Sequence, residues 1–300
     1  MCSMHTSLGK NMEASEFEFT EEQRRVLDRY SALMKEFLTT HDKANLALDR
    51  RAKSGHQWVH LFYDSRLNNA AHDEQSLKRL WQQVHGVSSK VSSYASALDV
   101  FLREAVEVTA LTSRNTPVDQ VDFSYFTLSP IWSLYTPRNL KQMVAGFGGM
   151  FYEAKGDLIS IDSSIDRLYV NSIGLKSIFA REMASRSCEC HAQPTVLPLM
   201  FGELDTTPRW DFGYSSSDPA VRAREYVADV TQLFNDFTSV ATRVEFVIEE
   251  IAQALDRVRV ELADIHEMNT MGRLNLKLAF VRDDVEASLS KLTALEKWLK

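Results

Sequence analysis

The chain is poor in the residues that interrupt helices, with 11 glycines and 7 prolines among 300 residues. Few glycines and prolines leave long unbroken stretches, which favours helices over a turn-rich β architecture. Cysteine is also scarce, and 3 residues of it exclude a disulfide framework. With 44% apolar and 25% charged residues, the composition is that of a globular protein that buries a sizeable core.

The chain also lacks an excess of positive charge and any long apolar run. Its net charge of −7 argues against a nucleic-acid partner held by a general positive field. No run approaches the roughly 20 apolar residues that span a bilayer, and the first 19 residues contain no apolar core of a secretory signal. We therefore expect a cytoplasmic protein.

Apolar residues recur at alternating spacings of three and four over four long segments. The stripes run from Leu80 to Val108, Leu140 to Phe179, Tyr226 to Val258 and Leu274 to Leu299. A seven-residue repeat held this long is typical of helices that wrap around one another. The sequence predicts an all-α fold, an elongated antiparallel bundle of long, coiled-coil-like helices.

Local signals place the helices along the chain. Thr20 with Gln23 forms a capping-box pattern, Asp73 is a candidate N-cap, and Pro137 and Pro219 suit first helical positions. We predict a flexible lead-in over residues 1–19 and a single helical-bundle domain over 20–300. Its long helices are expected at about 20–53, 73–114, 136–186, 218–270 and 273–300. Gly272 either ends or bends the fourth of these helices.

Signatures of chemistry are weak. Cys188, Cys190 and His191 supply only one local group of ligands, whereas structural zinc usually needs two separated pairs. His56 and His60 lack the acidic residue of a zinc protease helix, and the glycines around Phe147 lack the lysine of a phosphate loop. The sequence predicts no catalytic residue, no metal and no cofactor, so we expect a protein that is not an enzyme.

Residues 121–152 form a concentrated apolar zone, which ends in the most apolar segment of the chain, Met143 to Tyr152. The zone contains the candidate residues for contact with a partner or a membrane, which are Phe123, Tyr125, Phe126, Trp132, Phe147 and Phe151. One interpretation is a bundle end that is capped by its own loop. The other is a surface that docks a protein or a membrane.

Two functions remain open. The first is a non-enzymatic interaction or scaffold protein that acts through helix faces, binds a protein partner and self-associates as a homo-oligomer. The second is a membrane-acting bundle, either a curvature-binding dimer or an α-helical pore former, that uses residues 121–152. The acidic charge balance counts against the curvature version.

Overall fold

The computed structural model describes residues 19–35, 65–127, 137–188, 219–264 and 267–300, and their side chains except at 65–72, 178–188 and 219–227. It confirms an all-α fold: these ranges hold five α-helices, two short 3-10 helices and no strand. We number the α-helices in chain order as α1 (21–35 as described), α2 (Ser65–Leu111), α3 (Leu140–Cys188), α4 (Pro219–Ala263) and α5 (Met271–Leu299). The 3-10 helices are Val118–Gln120 and Phe123–Tyr125.

The buried face of each long helix follows the heptad spacing. On α5 the buried residues are Met271 and the whole predicted stripe from Leu274 to Leu299, including Ser288. α4 buries a second column beside its predicted stripe, formed by Phe234, Ala241, Ile248, Leu255 and Leu262. This helix therefore presents a wider apolar face to its neighbours than the others do.

The described helices pack as two compact units. Unit 1 takes Phe19, Leu80–Ser163 and Val244–Lys300, and unit 2 takes Thr20–Arg79 and Ser164–Arg243. Three helices, α2, α3 and α4, contribute residues to both units. The single domain over residues 20–300 and its elongated shape stay predictions.

Unit 1 is a four-helix bundle in which each helix contacts two others. On α2, Lys90 pairs with Asp157 of α3, whereas Phe101 packs against Phe147, so these two helices are antiparallel. The other three helix pairs are antiparallel as well. Lys155 pairs with Asp256 while Arg259 lies over the Tyr152 ring, which joins α3 to α4. Lys291 and Lys277 of α5 pair with Glu250 and Glu261 of α4. His85 with Glu296 and Thr109 with Asn275 join α2 to α5 and close the ring. Successive helices thus alternate in direction, as in an up-down-up-down bundle.

Unit 2 is joined at its centre by a buried polar cluster. The Tyr30 ring on α1 stacks on Phe237 of α4 at 3.6 Å, and its hydroxyl donates to the buried Asp73 carboxylate of α2 at 3.4 Å. Asn171 of α3 donates to the same carboxylate at 2.7 Å. Burial and then the charge of Asp73 raise the pKa of Tyr30 well above its ordinary value. The cluster therefore links the four helices of the unit that the structure describes.

Helix starts agree with the local signals only in part. The capping box at α1 is confirmed, since Thr20 and Gln23 exchange side-chain to main-chain hydrogen bonds of 2.9 and 3.2 Å. The N-cap at Asp73 is wrong: α2 begins earlier, at Ser65, and Asp73 lies inside it.

α3 begins later than expected, at Leu140 rather than at Pro137. Asn139 caps it, because its side chain accepts a hydrogen bond of 2.9 Å from the Gln142 main chain. Phe19, placed in the lead-in by the sequence, stacks on Trp298 at 4.4 Å, while residues 1–18 lie outside the described residues.

Candidate functional site

At one end of unit 1, the loop that follows α2 is tied to the connection between α4 and α5. Three main-chain hydrogen bonds of 2.9–3.1 Å join the two segments, from the nitrogens of Val118, Met271 and Gly272 to the carbonyls of Asn269, Thr116 and Arg114. Pro117 and Thr270 form an isolated antiparallel bridge within the same contact. These bonds hold the start of α5 in a defined position, which we call the loop clamp.

Gly272 makes the loop clamp possible. A Cβ atom at this position would lie 3.0 Å from the carbonyl oxygen of Arg114 and 3.1 Å from its Cβ. Ordinary non-bonded contacts of carbon are about 3.5–4.0 Å, so a larger residue would push the two segments apart. Gly272 neither ends nor bends α4, since α4 ends at Ala263 and Gly272 is the second residue of α5.

Three of the six predicted contact residues in 121–152 belong to the core beneath this end. Phe147 and Phe151 are fully buried, and Phe126 is 5% exposed. The Phe101 ring lies 5.4 Å from Phe126 and 5.7 Å from Phe147, while Tyr94 meets Phe151 edge-on. These rings pack the loop onto the bundle and are closed to a partner in this conformation.

The other predicted contact residues differ in position. Phe123 is half-buried against Phe126 at 6.3 Å, and Tyr125 is 59% exposed. Trp132 lies outside the described residues. Tyr125 is thus the described candidate whose ring is most open to a partner, and its role stays a prediction.

A groove on α5, which the sequence interpretation missed, lies beside the loop clamp. Leu276 and Phe280 are 59% and 61% exposed, one turn apart on the outer side of the helix. They line a groove of about 740 Å³ together with Glu261, Glu267, Arg273, Lys277, Asp283 and Asp284. We call this the α5 groove. Its signal in the sequence is an apolar pair at i and i+4 outside the complete heptad stripe of the same helix.

The α5 groove has an acidic lining. Its four carboxylates come from α4, from the α4–α5 connection and from α5, and two cations oppose them. Lys277 is already engaged, since it forms a hydrogen-bonded ion pair with Glu261 and lies 3.7 Å from Glu267. The bond to Glu261 raises the pKa of Lys277 above its ordinary value. The lining therefore carries a net negative charge. The ammonium group of Lys277 joins α5 to α4 through Glu261.

No group of three or more His, Cys, Asp or Glu residues that could hold a metal ion occurs among the described residues. Cys188 is the last residue of α3, but its side chain, like Cys190, His191, His56 and His60, lies outside the described part. None of the helices in the described ranges is long and apolar enough to cross a membrane.

What the groove offers chemically is a contact surface: two apolar side chains in a depression with a charged rim. The helix that carries them is fixed at its start by main-chain bonds and along its length by its buried stripe. Comparison of the chain with models of protein families, with curated proteins and with solved structures finds no match.

Proposed function

We propose that the protein is a non-enzymatic interaction or scaffold protein and that unit 1 binds a protein partner through the α5 groove. The observation that supports this most directly is the exposure of Leu276 and Phe280 beside each other on a helix whose core stripe is already complete. Fully burying such a side chain is worth about 1.5–3 kcal/mol, so a partner that covers both would gain a substantial part of that energy.

The loop clamp supports the same proposal. A surface that binds without first having to become ordered loses less free energy on association. Leu276 and Phe280 lie on the first turns of α5, directly after the segment that Gly272 and Met271 fasten to the loop of α2. The groove is therefore held in shape before a partner arrives.

A membrane-acting function through residues 121–152 is the second candidate. Its support is the exposed ring of Tyr125 at the same end of the bundle. Against it stand the burial of Phe126, Phe147 and Phe151, and the acidic lining nearby, which an anionic lipid surface repels. Self-association through coiled-coil-like helices and residence in the cytoplasm complete the first proposal, and both come from the sequence.

Photo-cross-linking in cells tests the proposed function. A photoreactive phenylalanine analogue replaces Phe280 in the groove, and in a matched protein it replaces Ala287, which is exposed one heptad further along α5 and outside the lining. We expect a discrete protein adduct from position 280 that Leu276→Ser abolishes, and none from position 287. Equal adducts from both positions, or none from position 280, would contradict the proposal.

Liposome co-sedimentation distinguishes the proposed function from the membrane-acting alternative. Under the proposed function, the protein stays in the supernatant with neutral and with anionic vesicles. Binding to vesicles that is lost in Tyr125→Ser but kept in Phe280→Ser would favour the membrane function instead.

A further inference from the structure

We infer that the occupant of the α5 groove is an amphipathic helix with a basic face. This inference rests on the proposed function and names the chemistry of the partner. The lining of the groove holds four carboxylates and two cations, and Lys277 is engaged with Glu261 and Glu267. The lining therefore keeps a net negative charge for a partner to match. It lies chiefly at Asp284 and at the exposed Asp283, whose only ion-pair contact in the described part of the chain is Arg282 at 3.5 Å, outside the lining.

The shape of the groove fits a helix. Its α5 wall runs from Arg273 to Asp284, which is about 16 Å at 1.5 Å per residue, or three turns. Leu276 and Phe280 occupy the middle of that length, with Arg273 at one end and Asp283 and Asp284 at the other. Helix-in-groove recognition uses apolar anchors on successive turns, and an apolar centre with a charged rim is the usual anatomy of an interface.

The same charge disfavours the other occupants. A second copy of this chain carries a net charge of −7 and would bring like charges together if it used the same groove. An acidic peptide or an anionic bilayer meets the same repulsion. Lysine and arginine side chains on a helix that lies over Leu276 and Phe280 would instead approach the carboxylates at the rim.

Fluorescence anisotropy with two designed peptides and the full-length protein tests this inference. Both peptides are helices of about 15 residues, or four turns, with leucines one turn apart on a single face. One carries lysine and arginine at the flanking positions, and the other carries glutamate at those positions. We expect the basic peptide to bind at least about tenfold more tightly at low salt, with the difference shrinking as salt is added.

Matched variants assign that preference to the groove. Asp283→Asn with Asp284→Asn should weaken binding of the basic peptide by about fivefold, since two exposed charge pairs are lost. Glu286→Gln is the control, because Glu286 is an exposed carboxylate of α5 outside the lining. It shares Arg282 with Asp283, so this variant should change the affinity far less than the aspartate variants do. Phe280→Ala should weaken binding of the basic peptide most strongly.

The outcomes separate the two proposals. If both peptides bind alike and Phe280→Ala weakens both, the groove docks helices but the charge inference is wrong. If neither peptide binds, or Glu286→Gln acts as strongly as the aspartate variants, the charge inference is also overturned. In each case the cross-linked adduct at position 280 still decides the proposed function independently.

Discussion

Replacing Gly272 by alanine places a methyl group against the main chain of Arg114. The new carbon would sit 3.0 Å from the Arg114 carbonyl oxygen and 3.1 Å from its Cβ, so the neighbours must retreat by about 0.5 Å to reach ordinary contact. Such overpacking costs about 1–3 kcal/mol. Alanine in a helix regains about 0.5–1 kcal/mol relative to glycine. The difference is a net loss of about 0–2.5 kcal/mol, and we expect a value near about 1 kcal/mol, increased if the 2.9 Å hydrogen bond to Arg114 lengthens.

Gly156 provides the matched control. It lies exposed within α3, and an added Cβ there would meet nothing within 4 Å. Gly156→Ala should therefore stabilise the protein by about 0.5–1 kcal/mol, because only the helix preference changes. Urea unfolding followed by circular dichroism compares the two midpoints at unchanged slope. A Gly272→Ala midpoint at or above that of the wild type would refute the account of the loop clamp.

Three further predictions concern the core and its polar groups. Phe147→Ala should lower the free energy of unfolding by about 3–5 kcal/mol, and Tyr125→Ala by less than about 0.5 kcal/mol; equal losses in urea unfolding would contradict the observed burial. Stability should fall as pH rises above the ordinary tyrosine value of 10.0, because unfolded Tyr30 ionises there while the buried hydroxyl resists ionisation. In Tyr30→Phe the melting temperature should fall less steeply as pH rises above 10.0. A fall as steep as in the wild type would exclude the mechanism. Ser288→Ala should be neutral or stabilising, since the buried hydroxyl only bonds the Asp284 carbonyl of its own helix; a loss above about 1 kcal/mol in urea unfolding would show another role.

The heptad pattern predicted which helix faces are buried because one period governs both the sequence and the packing. Along α5, every stripe residue from Leu274 to Leu299 is buried. The second buried column of α4 was not predicted as part of the core from Phe234 to Leu255; only its last member, Leu262, was expected, through a shift of register after Val258. A stripe records one face of a helix, whereas the width of the buried face depends on how many neighbours pack around it.

Helix boundaries were less predictable because some depend on distant partners. Asp73 has the residue type of an N-cap, but its carboxylate is satisfied by Tyr30 and Asn171 from two other helices. That arrangement allows an aspartate to be buried within α2. Local sequence carries no trace of these partners, so the prediction of a helix start there was wrong.

The sequence predicted a contact surface, but it placed the candidate residues in 121–152 and not in the α5 groove. Aromatic density in residues 121–152 pointed to one end of the bundle, but density alone does not tell which rings face inward. Phe147 follows the buried stripe of α3 and was predictable as core, whereas the position of Phe126 depends on how the loop folds back onto Phe101. The sequence contains a signal for Leu276 and Phe280, because their spacing places them outside the heptad stripe of α5.

The ring of contacts in unit 1 has a consequence for the order of folding during synthesis. Three of its four helix pairs join consecutive helices, but the pair that closes the ring joins His85 to Glu296, which are 211 residues apart. α5 follows the other helices along the chain, so until it is made the nascent bundle leaves apolar flanks of α2 and α4 uncovered. Unit 2 has all its helices once residue 243 is made. Unit 1 is therefore the part that a ribosome-associated chaperone would need to shield longer. Its ring of helices closes only when α5 finds α2, a contact between segments far apart in the sequence, which forms slowly.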